Sequence, residues 1–184
     1  MANALTLARI ALIAPFVAVF FVGAAWAMTA ALAIFVLAAA TDFLDGRIAR
    51  ARGEVSALGA ALDPLADKML VAAALILLTR NGVVSGAGVL PVLMIVLREV
   101  AVSGLREAVS ARGGALPVTG LAKWKTALQL AAVGALIAAA PGGVAGAPLR
   151  PAATGLLWVA GVLTFWTGAD YAVRAARMLR EENR

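Results

Sequence analysis

The segment TDFLDGRIARARGEVSALGAALDPLADK, residues 41–68, has an unusual density of carboxylates for this chain. The chain has only ten acidic residues among 184, and four of them are the aspartates of this segment: Asp42, Asp45, Asp63 and Asp67. The flanking runs, WAMTAALAIFVLAAA at 26–40 and MLVAAALILLT at 69–79, are almost wholly apolar. The segment therefore connects two hydrophobic stretches, and its acids need a functional or structural reason to lie there.

The composition of the whole chain is that of an integral membrane protein. Hydrophobic residues make up 63% of it and charged residues 14%, whereas a soluble domain is roughly half apolar and a quarter charged. The apolar residues form runs of about the length that crosses a bilayer, which predict six spans at 5–23, 26–49, 59–79, 87–109, 119–140 and 152–173. Spans packed on one another form one unit, so we expect a single all-α domain over 1–184, a bundle of six transmembrane helices.

The basic residues are unevenly divided between the two ends of these spans. Six spans place both termini on one side of the membrane, and that side has ten basic residues: Arg47, Arg50, Arg52, Arg112, Lys123, Lys125, Arg174, Arg177, Arg180 and Arg184. The opposite side has Arg80 and Arg150. The positive-inside rule therefore predicts that both termini and segment 41–68 are cytoplasmic. A cleaved signal peptide over 1–27 is disfavoured, because its apolar run is long for such a peptide.

Two residue types are missing from the chain, cysteine and histidine. Their absence excludes disulfides and zinc sites built on thiolate or imidazole. Acid–base chemistry must then use carboxylate, lysine or tyrosine side chains. Any metal bound by side chains must be one that prefers oxygen ligands, such as magnesium, manganese or calcium.

The four aspartates form two pairs with helical spacing. Asp42 and Asp45 are three residues apart, Asp63 and Asp67 are four apart, and each pair would share one helix face. A short connection between the helices could bring the faces together, and four carboxylates there would need to be neutralised. Basic side chains would make an ion-paired structural seam, and divalent cations would make a two-metal phosphoryl-transfer site. Arg50 favours the metal site, since a guanidinium suits a bidentate grip on phosphate.

The pattern of these residues resembles a known signature. Asp42-x-x-Asp45-Gly46-x-x-Ala49-Arg50 is followed, after eight residues, by Gly59-x-x-x-Asp63-x-x-x-Asp67. Every fixed position of the signature of the CDP-alcohol phosphotransferases is filled. The resemblance implies a six-helix membrane enzyme, usually a homodimer, that displaces CMP from a CDP-linked lipid with an alcohol.

The same resemblance implies roles for individual residues. Two divalent cations, Mg or Mn, would be held by the carboxylates of Asp42, Asp45, Asp63 and Asp67. Asp67 would also act as general base for the incoming hydroxyl. The residues that would bind CDP-diacylglycerol are Gly46, Arg50, Ser56, Gly59, Asn3 and Thr6.

A second polar region, within 97–126, bears on the identity of the alcohol. Arg98 and Arg106 are eight residues apart, so they fall on nearly the same helix face, and Lys123 and Lys125 begin the next span. One interpretation is internal salt bridging with neighbouring carboxylates, together with lysines that extend to the membrane surface. The other is a basic pocket for an acceptor that carries a phosphate.

Four stretches are similar to one branch of the family, whose acceptor is sn-glycerol 3-phosphate and whose product is phosphatidylglycerophosphate. They are NALTLARI at 3–10, DPLADKMLVAAALILL at 63–78, REVAVSGLRE at 98–107 and AKWKT at 122–126, where Ala122 replaces an expected glycine. The resemblance implies that Arg98, Arg106, Lys123 and Lys125 bind glycerol 3-phosphate in a protein of the bacterial cytoplasmic membrane, at its cytoplasmic side.

Alternative acceptors are inositol phosphate, serine and phosphatidylglycerol. A divalent-cation transporter is a more distant alternative, disfavoured because the acids cluster at one surface.

Two further expectations concern isolated basic residues. Arg9 would anchor the first span at the lipid headgroups, in preference to contacting a substrate phosphate. The C-terminal segment RAARMLREENR, 174–184, would form a short cytoplasmic helix on anionic lipid, and no nucleic-acid partner is expected.

Overall fold

The computed structural model describes the backbone of residues 2–52, 57–117 and 120–181, and the side chains of 7–41, 65–66, 68–117, 120–121 and 124–180. Over these residues the chain is helical, and no strand occurs among them. Six α-helices follow one another: α1 Ala2–Val19, α2 Ala27–Arg52, α3 Ala57–Arg80, α4 Val89–Ser110, α5 Gly120–Ala138 and α6 Arg150–Glu181. Short 3₁₀ turns, Gly86–Gly88 and Ala147–Leu149, precede α4 and α6.

Each predicted apolar run overlaps one of these helices, so the all-helical fold class is confirmed over the described residues. Two continuous helical stretches, Gly86–Ser110 and Ala147–Arg180, are long and apolar enough to cross a membrane. Leu7–Val19, Ala27–Thr41 and Trp124–Ala138 are shorter apolar helical stretches. The apolar helices fit a membrane protein, and the six-span topology stays a prediction.

The helices form two groups of three. In the first group α1 packs against both α2 and α3, and in the second α6 packs extensively against both α4 and α5. Contacts of α5 with α2 and α3 join the groups. The signature aspartates thus belong to the first group, and the basic residues of 97–126 belong to the second.

A continuous apolar core runs through both groups of helices. Phe16 of α1 and Phe35 of α2 meet with ring centroids 6.1 Å apart, and the core continues through Leu75 of α3, Leu136 of α5 and Leu157 of α6. Fully buried alanines lie on four of the helices, α2, α3, α5 and α6: Ala31, Ala38, Ala74, Ala132 and Ala160. Small side chains allow helix backbones to approach closely, which suits helices packed in a membrane.

Two glycines shape the end of the bundle that lies away from segment 41–68. Gly82 ends α3 with φ +70, and Gly142 follows α5 with φ +80, a backbone region that side chains with a Cβ rarely adopt. A Cβ on Gly142 would lie 2.9 Å from the carbonyl oxygen of Ala25, so the α5–α6 connection is pressed against the start of α2. Thr29 also donates a hydrogen bond to the Gly142 carbonyl, at 3.4 Å.

The prediction of a separate C-terminal helix is wrong. Residues 174–181 continue α6, which runs for 32 residues from Arg150 to Glu181. The apolar run ends near 173, but alanine, arginine, methionine, leucine and glutamate are all good helix formers, so the helix has no reason to stop there. Asp170 and Arg174, four residues apart, form an exposed ion pair across this extension at 3.0 Å.

Candidate active site

The signature residues lie on two helices that are consecutive in the chain. Positions 42 and 45 are one turn apart on α2, and positions 63 and 67 are one turn apart on α3, so each pair shares a helix face as predicted. Gly46 and Arg50 also lie on α2, and Gly59 lies on α3.

The side chains of these signature residues fall outside the described part of the chain. Ser56 falls outside the described residues altogether, and the side chains of Asn3, Thr6 and Lys123 are outside them too. Among the side chains that are described, no three acidic residues come together in a group that could hold a metal. The roles assigned to all these residues stay predictions.

A buried polar network connects α4, α5 and α6, with Glu99 as its shared acceptor. Arg98 donates from Nη1 to Glu99 Oε1 at 3.1 Å, and Lys125 of α5 forms an ion pair with the same carboxylate. Gln129, one turn beyond Lys125, donates to Glu99 at 3.4 Å and to the hydroxyl of Thr164 on α6 at 2.9 Å. The internal salt bridges considered from the sequence are therefore present for Arg98 and Lys125.

Arg98 is held by α6 as well as by Glu99. The side chain is 9% exposed, and its Nη2 donates to the Thr167 hydroxyl at 3.4 Å. The Thr167 hydroxyl lies 3.0 Å from the carbonyl oxygen of Leu163, to which it can donate while accepting from Arg98. The guanidinium carbon of Arg98 lies 5.6 Å from the ring centre of Tyr171. One donor of Arg98, its buried Nε, has no hydrogen-bond partner among the described residues.

Arg106 approaches Tyr171 from two turns further along α4. Its Nη2 donates to the Tyr171 hydroxyl at 3.2 Å, and its guanidinium carbon lies 5.2 Å from the ring centre. The Tyr171 hydroxyl donates in turn to the carbonyl oxygen of Pro117 at 3.0 Å. Arg106 Nε is also buried, without a hydrogen-bond partner in the part of the chain that the structure describes. The prediction that Arg98 and Arg106 lie on one face of α4 is confirmed, because both contact one ring.

Lys68 connects the signature helix to this network. It follows Asp67 in α3 and contacts the hydroxyl of Ser103 on α4, which in turn donates to the Glu99 carbonyl oxygen at 2.6 Å. Arg98, Arg106 and Lys125 are basic side chains of this region, and among the described residues Glu99 is the acid bonded to Arg98 and Lys125. Arg98 and Arg106 also contact one tyrosine ring, and two guanidinium groups so close together suit an anionic ligand.

Several members of the network were not identified from the sequence. Lys68 interrupts an apolar run directly after Asp67, Gln129 is a lone amide in α5, and Tyr171 is the only tyrosine of the chain. Each is a polar residue in a hydrophobic helix, where polar side chains usually face the interior of the bundle. The presence of a polar residue in an apolar helix therefore predicts that it faces the bundle interior, but it does not predict which residues it contacts there.

The expectation that Arg9 anchors α1 at the headgroups is wrong. Its side chain is 1% exposed and is among the largest fully buried side chains described. A headgroup anchor would be exposed at the membrane surface. The Arg9 side chain is instead buried, on a helix that packs against both α2 and α3. Arg9 therefore belongs to the interior of the first helix group.

Comparison with known proteins places this arrangement in a family. The family model described as CDP-alcohol phosphatidyltransferase matches residues 1–166. A protein of Cereibacter sphaeroides named CDP-diacylglycerol–glycerol-3-phosphate 3-phosphatidyltransferase is 38% identical, over 98% of this chain and 97% of its own length. Proteins with the same name are 40% identical in Rickettsia bellii, over 92% of this chain and 91% of theirs, and 37% identical in Pseudomonas fluorescens, over 99% and 93%. The chain belongs to the CDP-alcohol phosphatidyltransferase family.

Proposed function

We propose that this protein transfers the phosphatidyl group of CDP-diacylglycerol to sn-glycerol 3-phosphate, with phosphatidylglycerophosphate and CMP as products. Family membership supports the reaction type, and the names of relatives that align over nearly their whole length support the acceptor. The observation that carries the proposal is the convergence of two guanidinium groups, those of Arg98 and Arg106, on the ring of Tyr171.

The unpartnered guanidinium donors favour an acceptor that carries a phosphate. A buried donor without an acceptor costs about 1–3 kcal/mol, and both Arg98 and Arg106 have a buried Nε in that state. A phosphate bound between them would accept those hydrogen bonds and balance the positive charge. Glycerol 3-phosphate, inositol phosphate and phosphatidylglycerol all carry such a group, whereas serine does not, and the relatives' names favour the first.

The donor chemistry of the signature fits a pair of divalent cations. Asp42, Asp45, Asp63 and Asp67 offer only carboxylate oxygens, which are the ligands that Mg²⁺ and Mn²⁺ prefer, and each pair of positions is one helical turn apart. When bound there, two cations would neutralise the negative charge of the diphosphate. Gly46, Arg50, Ser56, Gly59, Asn3 and Thr6 would bind the rest of CDP-diacylglycerol.

The chain's own residues then account for the transfer. Arg98, Arg106, Lys123 and Lys125 hold the acceptor by its phosphate, so that its free hydroxyl is oriented toward the lipid-side phosphorus. The hydroxyl oxygen bonds to that phosphorus, its proton passes to the Asp67 carboxylate, and the bond between the phosphorus and the CMP oxygen breaks. CMP leaves with that electron pair, and atoms and charge balance.

The membrane location, orientation and oligomeric state that we propose rest on the charge distribution and on resemblance to the family. We place the protein in the bacterial cytoplasmic membrane as six spans, with the site and both termini at the cytoplasmic side. By resemblance to its family we propose a homodimer surrounded by membrane lipid.

CMP release by purified protein in detergent tests this function. The assay contains CDP-diacylglycerol and Mg²⁺, with glycerol 3-phosphate, inositol phosphate, serine or phosphatidylglycerol supplied in turn. We expect release that requires glycerol 3-phosphate and is lost in Asp67→Asn or with a chelator. Asp170→Asn is the matched control, because it alters an exposed ion pair on α6.

Each other result has a definite meaning. Release with a different acceptor would keep the family reaction and overturn the choice of glycerol 3-phosphate. No release with any acceptor, from folded protein supplied with metal, would overturn the enzyme and favour a cation transporter.

A further inference from the structure

The side chain of Arg98 passes over a glycine of the neighbouring helix. A Cβ built on Gly168 of α6 would lie 2.6 Å from Arg98 Cγ and 3.5 Å from its Nε. Real Cβ atoms are not found at 2.6 Å from another carbon. The clash would fall on the second carbon of the side chain, close to the α4 backbone, where a rotation of the far end cannot relieve it. The missing side chain at position 168 is therefore a condition for the observed path of Arg98.

The residue before Gly168 contacts the other end of the same arginine. Thr167 accepts a hydrogen bond from Arg98 Nη2 at 3.4 Å, and its own hydroxyl is oriented by the α6 carbonyl oxygen of Leu163 at 3.0 Å. Two consecutive positions of α6 thus contact Arg98, Gly168 along the aliphatic stem and Thr167 at the guanidinium. On α4 itself, the Glu99 carboxylate accepts a hydrogen bond from Arg98 Nη1 and so fixes the guanidinium further.

We propose that Gly168 and Thr167 are positioning residues that set the location of the Arg98 guanidinium, and through it the affinity for the acceptor's phosphate. The inference rests on the proposed function, in which Arg98 binds that phosphate. Neither residue needs to touch the substrate. A shift of about 1 Å in a positioned group can change the rate about 100-fold, so the packing of α6 against this arginine has a measurable effect on turnover.

Gly168→Ala is the direct test, measured as the KM for glycerol 3-phosphate and for CDP-diacylglycerol in the CMP-release assay. We expect the KM for glycerol 3-phosphate to rise about tenfold, because the added methyl displaces Arg98. The KM for CDP-diacylglycerol should stay within twofold, since Arg98 is assigned to the acceptor. A loss of helix packing alone would not separate the two substrates in this way.

The same pair of helices provides a matched control. A Cβ on Gly161 would lie 2.7 Å from Pro91 Cβ, a comparable clash between α6 and α4 that involves no arginine. Gly161→Ala should lower the thermal midpoint of unfolding about as much as Gly168→Ala does, and leave the KM for glycerol 3-phosphate unchanged. An equal rise of that KM in both variants would overturn the inference, because packing would then explain it.

If Gly168→Ala does not fold, two variants of Thr167 test whether α6 positions Arg98. Thr167→Val keeps the shape of the side chain and removes the hydroxyl, whereas Thr167→Ser keeps the hydroxyl. We expect the KM for glycerol 3-phosphate to rise about fivefold in the valine variant and to stay near that of the unchanged protein in the serine variant. An unchanged KM for glycerol 3-phosphate in Thr167→Val would then overturn the proposal.

The unchanged protein separates this inference from the proposed function. If it releases CMP only with another phosphorylated acceptor, the choice of glycerol 3-phosphate fails, and the KM for that acceptor is compared across the same variants. If it releases no CMP with any acceptor, both the function and the positioning role are overturned.

Discussion

At the scale of single residues, Glu99 is the acceptor on which the buried network depends. Its Oε1 accepts hydrogen bonds from Arg98 of α4 and from Lys125 and Gln129 of α5. The carboxylate is also the only described acid bonded to the surrounding basic side chains. Glu99 therefore stabilises basic groups that would otherwise lie buried without a counter-charge.

Replacing Glu99 with glutamine should destabilise the protein strongly. Breaking a buried ion pair by removing one partner typically costs about 3–5 kcal/mol, because the other charge remains buried without compensation. We expect a loss of that size in the free energy of unfolding, measured by denaturant titration in detergent. Glu107→Gln is the control, since Glu107 is an exposed glutamate of the same helix and its replacement should change stability little. Equal stability of the two variants would contradict the central place of Glu99.

Tyr171→Phe isolates the contribution of a single hydroxyl. The variant keeps the ring against Arg98 and Arg106 but loses the hydrogen bonds to Arg106 Nη2 and to the Pro117 carbonyl. We expect the free energy of unfolding to fall by about 1–2 kcal/mol, and the KM for glycerol 3-phosphate to rise severalfold as Arg106 loses its orientation. A KM unchanged from that of the unmodified protein would mean that Arg106 is held by the ring alone or does not contact the acceptor.

Residue spacing predicted part of this site. Eight residues are about two helical turns, which placed Arg98 and Arg106 on one face. Spacing could not predict that Tyr171, 65 positions after Arg106, would lie against both, because that contact depends on how α4 and α6 pack. The error on Arg9 has the same origin: a lone arginine near a span end is ordinarily exposed, and its burial depends on two other helices.

At the scale of elements, the connections at the far end of the bundle determine how the two helix groups meet. Gly142 brings the α5–α6 connection against Ala25, and Asn81 at the end of α3 donates to the Phe20 carbonyl oxygen at 3.3 Å. The contact of Gly142 joins the two groups, whereas the hydrogen bond of Asn81 links the ends of α3 and α1 within the first group. Both lie at the end of the bundle opposite segment 41–68. Changes here should affect stability without affecting substrate binding.

The variants Gly142→Ala and Gly82→Ala distinguish two destabilising effects of an added side chain, backbone strain and steric clash. Both glycines have φ near +70 to +80, so both variants should lose about 1 kcal/mol from backbone strain. Only Gly142 has a neighbour in the way, the Ala25 carbonyl oxygen, so Gly142→Ala should lose clearly more. Thermal unfolding of both variants measures the difference, and the KM for both substrates should not change. A smaller loss in Gly142→Ala than in Gly82→Ala would contradict the close approach.

At the scale of the whole molecule, the chain's lack of cysteine makes its topology simple to test. We expect Ser85→Cys, between α3 and α4, to react with a membrane-impermeant maleimide in intact cells, because the proposed orientation places that connection on the side away from the cytoplasm. Ser110→Cys, at the end of α4, should react only after the membrane is opened. Both residues are exposed in the structure, so access to the reagent decides the result. Reaction of both, or of Ser110→Cys alone, in intact cells would contradict the proposed orientation.

The overall architecture was more predictable than the site. The apolar runs predicted six helical segments because a long hydrophobic stretch in a membrane must be helical to satisfy its backbone groups. The division into two groups of three helices could not be predicted in this way, since every helix has apolar residues on several faces and no pattern selects its neighbours. The charge distribution predicts a sidedness, but the ion pair of Lys125 with Glu99 depends on how α5 lies relative to α4 and could not be predicted from it.

The length of α6 has a consequence for how the enzyme depends on its lipid. At 1.5 Å per residue its 32 residues extend about 48 Å, against a hydrocarbon core of about 30 Å, so it passes well beyond the bilayer. Thr167, Gly168 and Tyr171 lie in its second half, toward the end that leaves the membrane. The thickness of the bilayer then sets how deep these residues lie relative to the headgroups, because a helix adjusts its tilt to the hydrophobic thickness around it. The thickness of the host membrane would in this way adjust the depth of the pocket that we propose for the water-soluble acceptor.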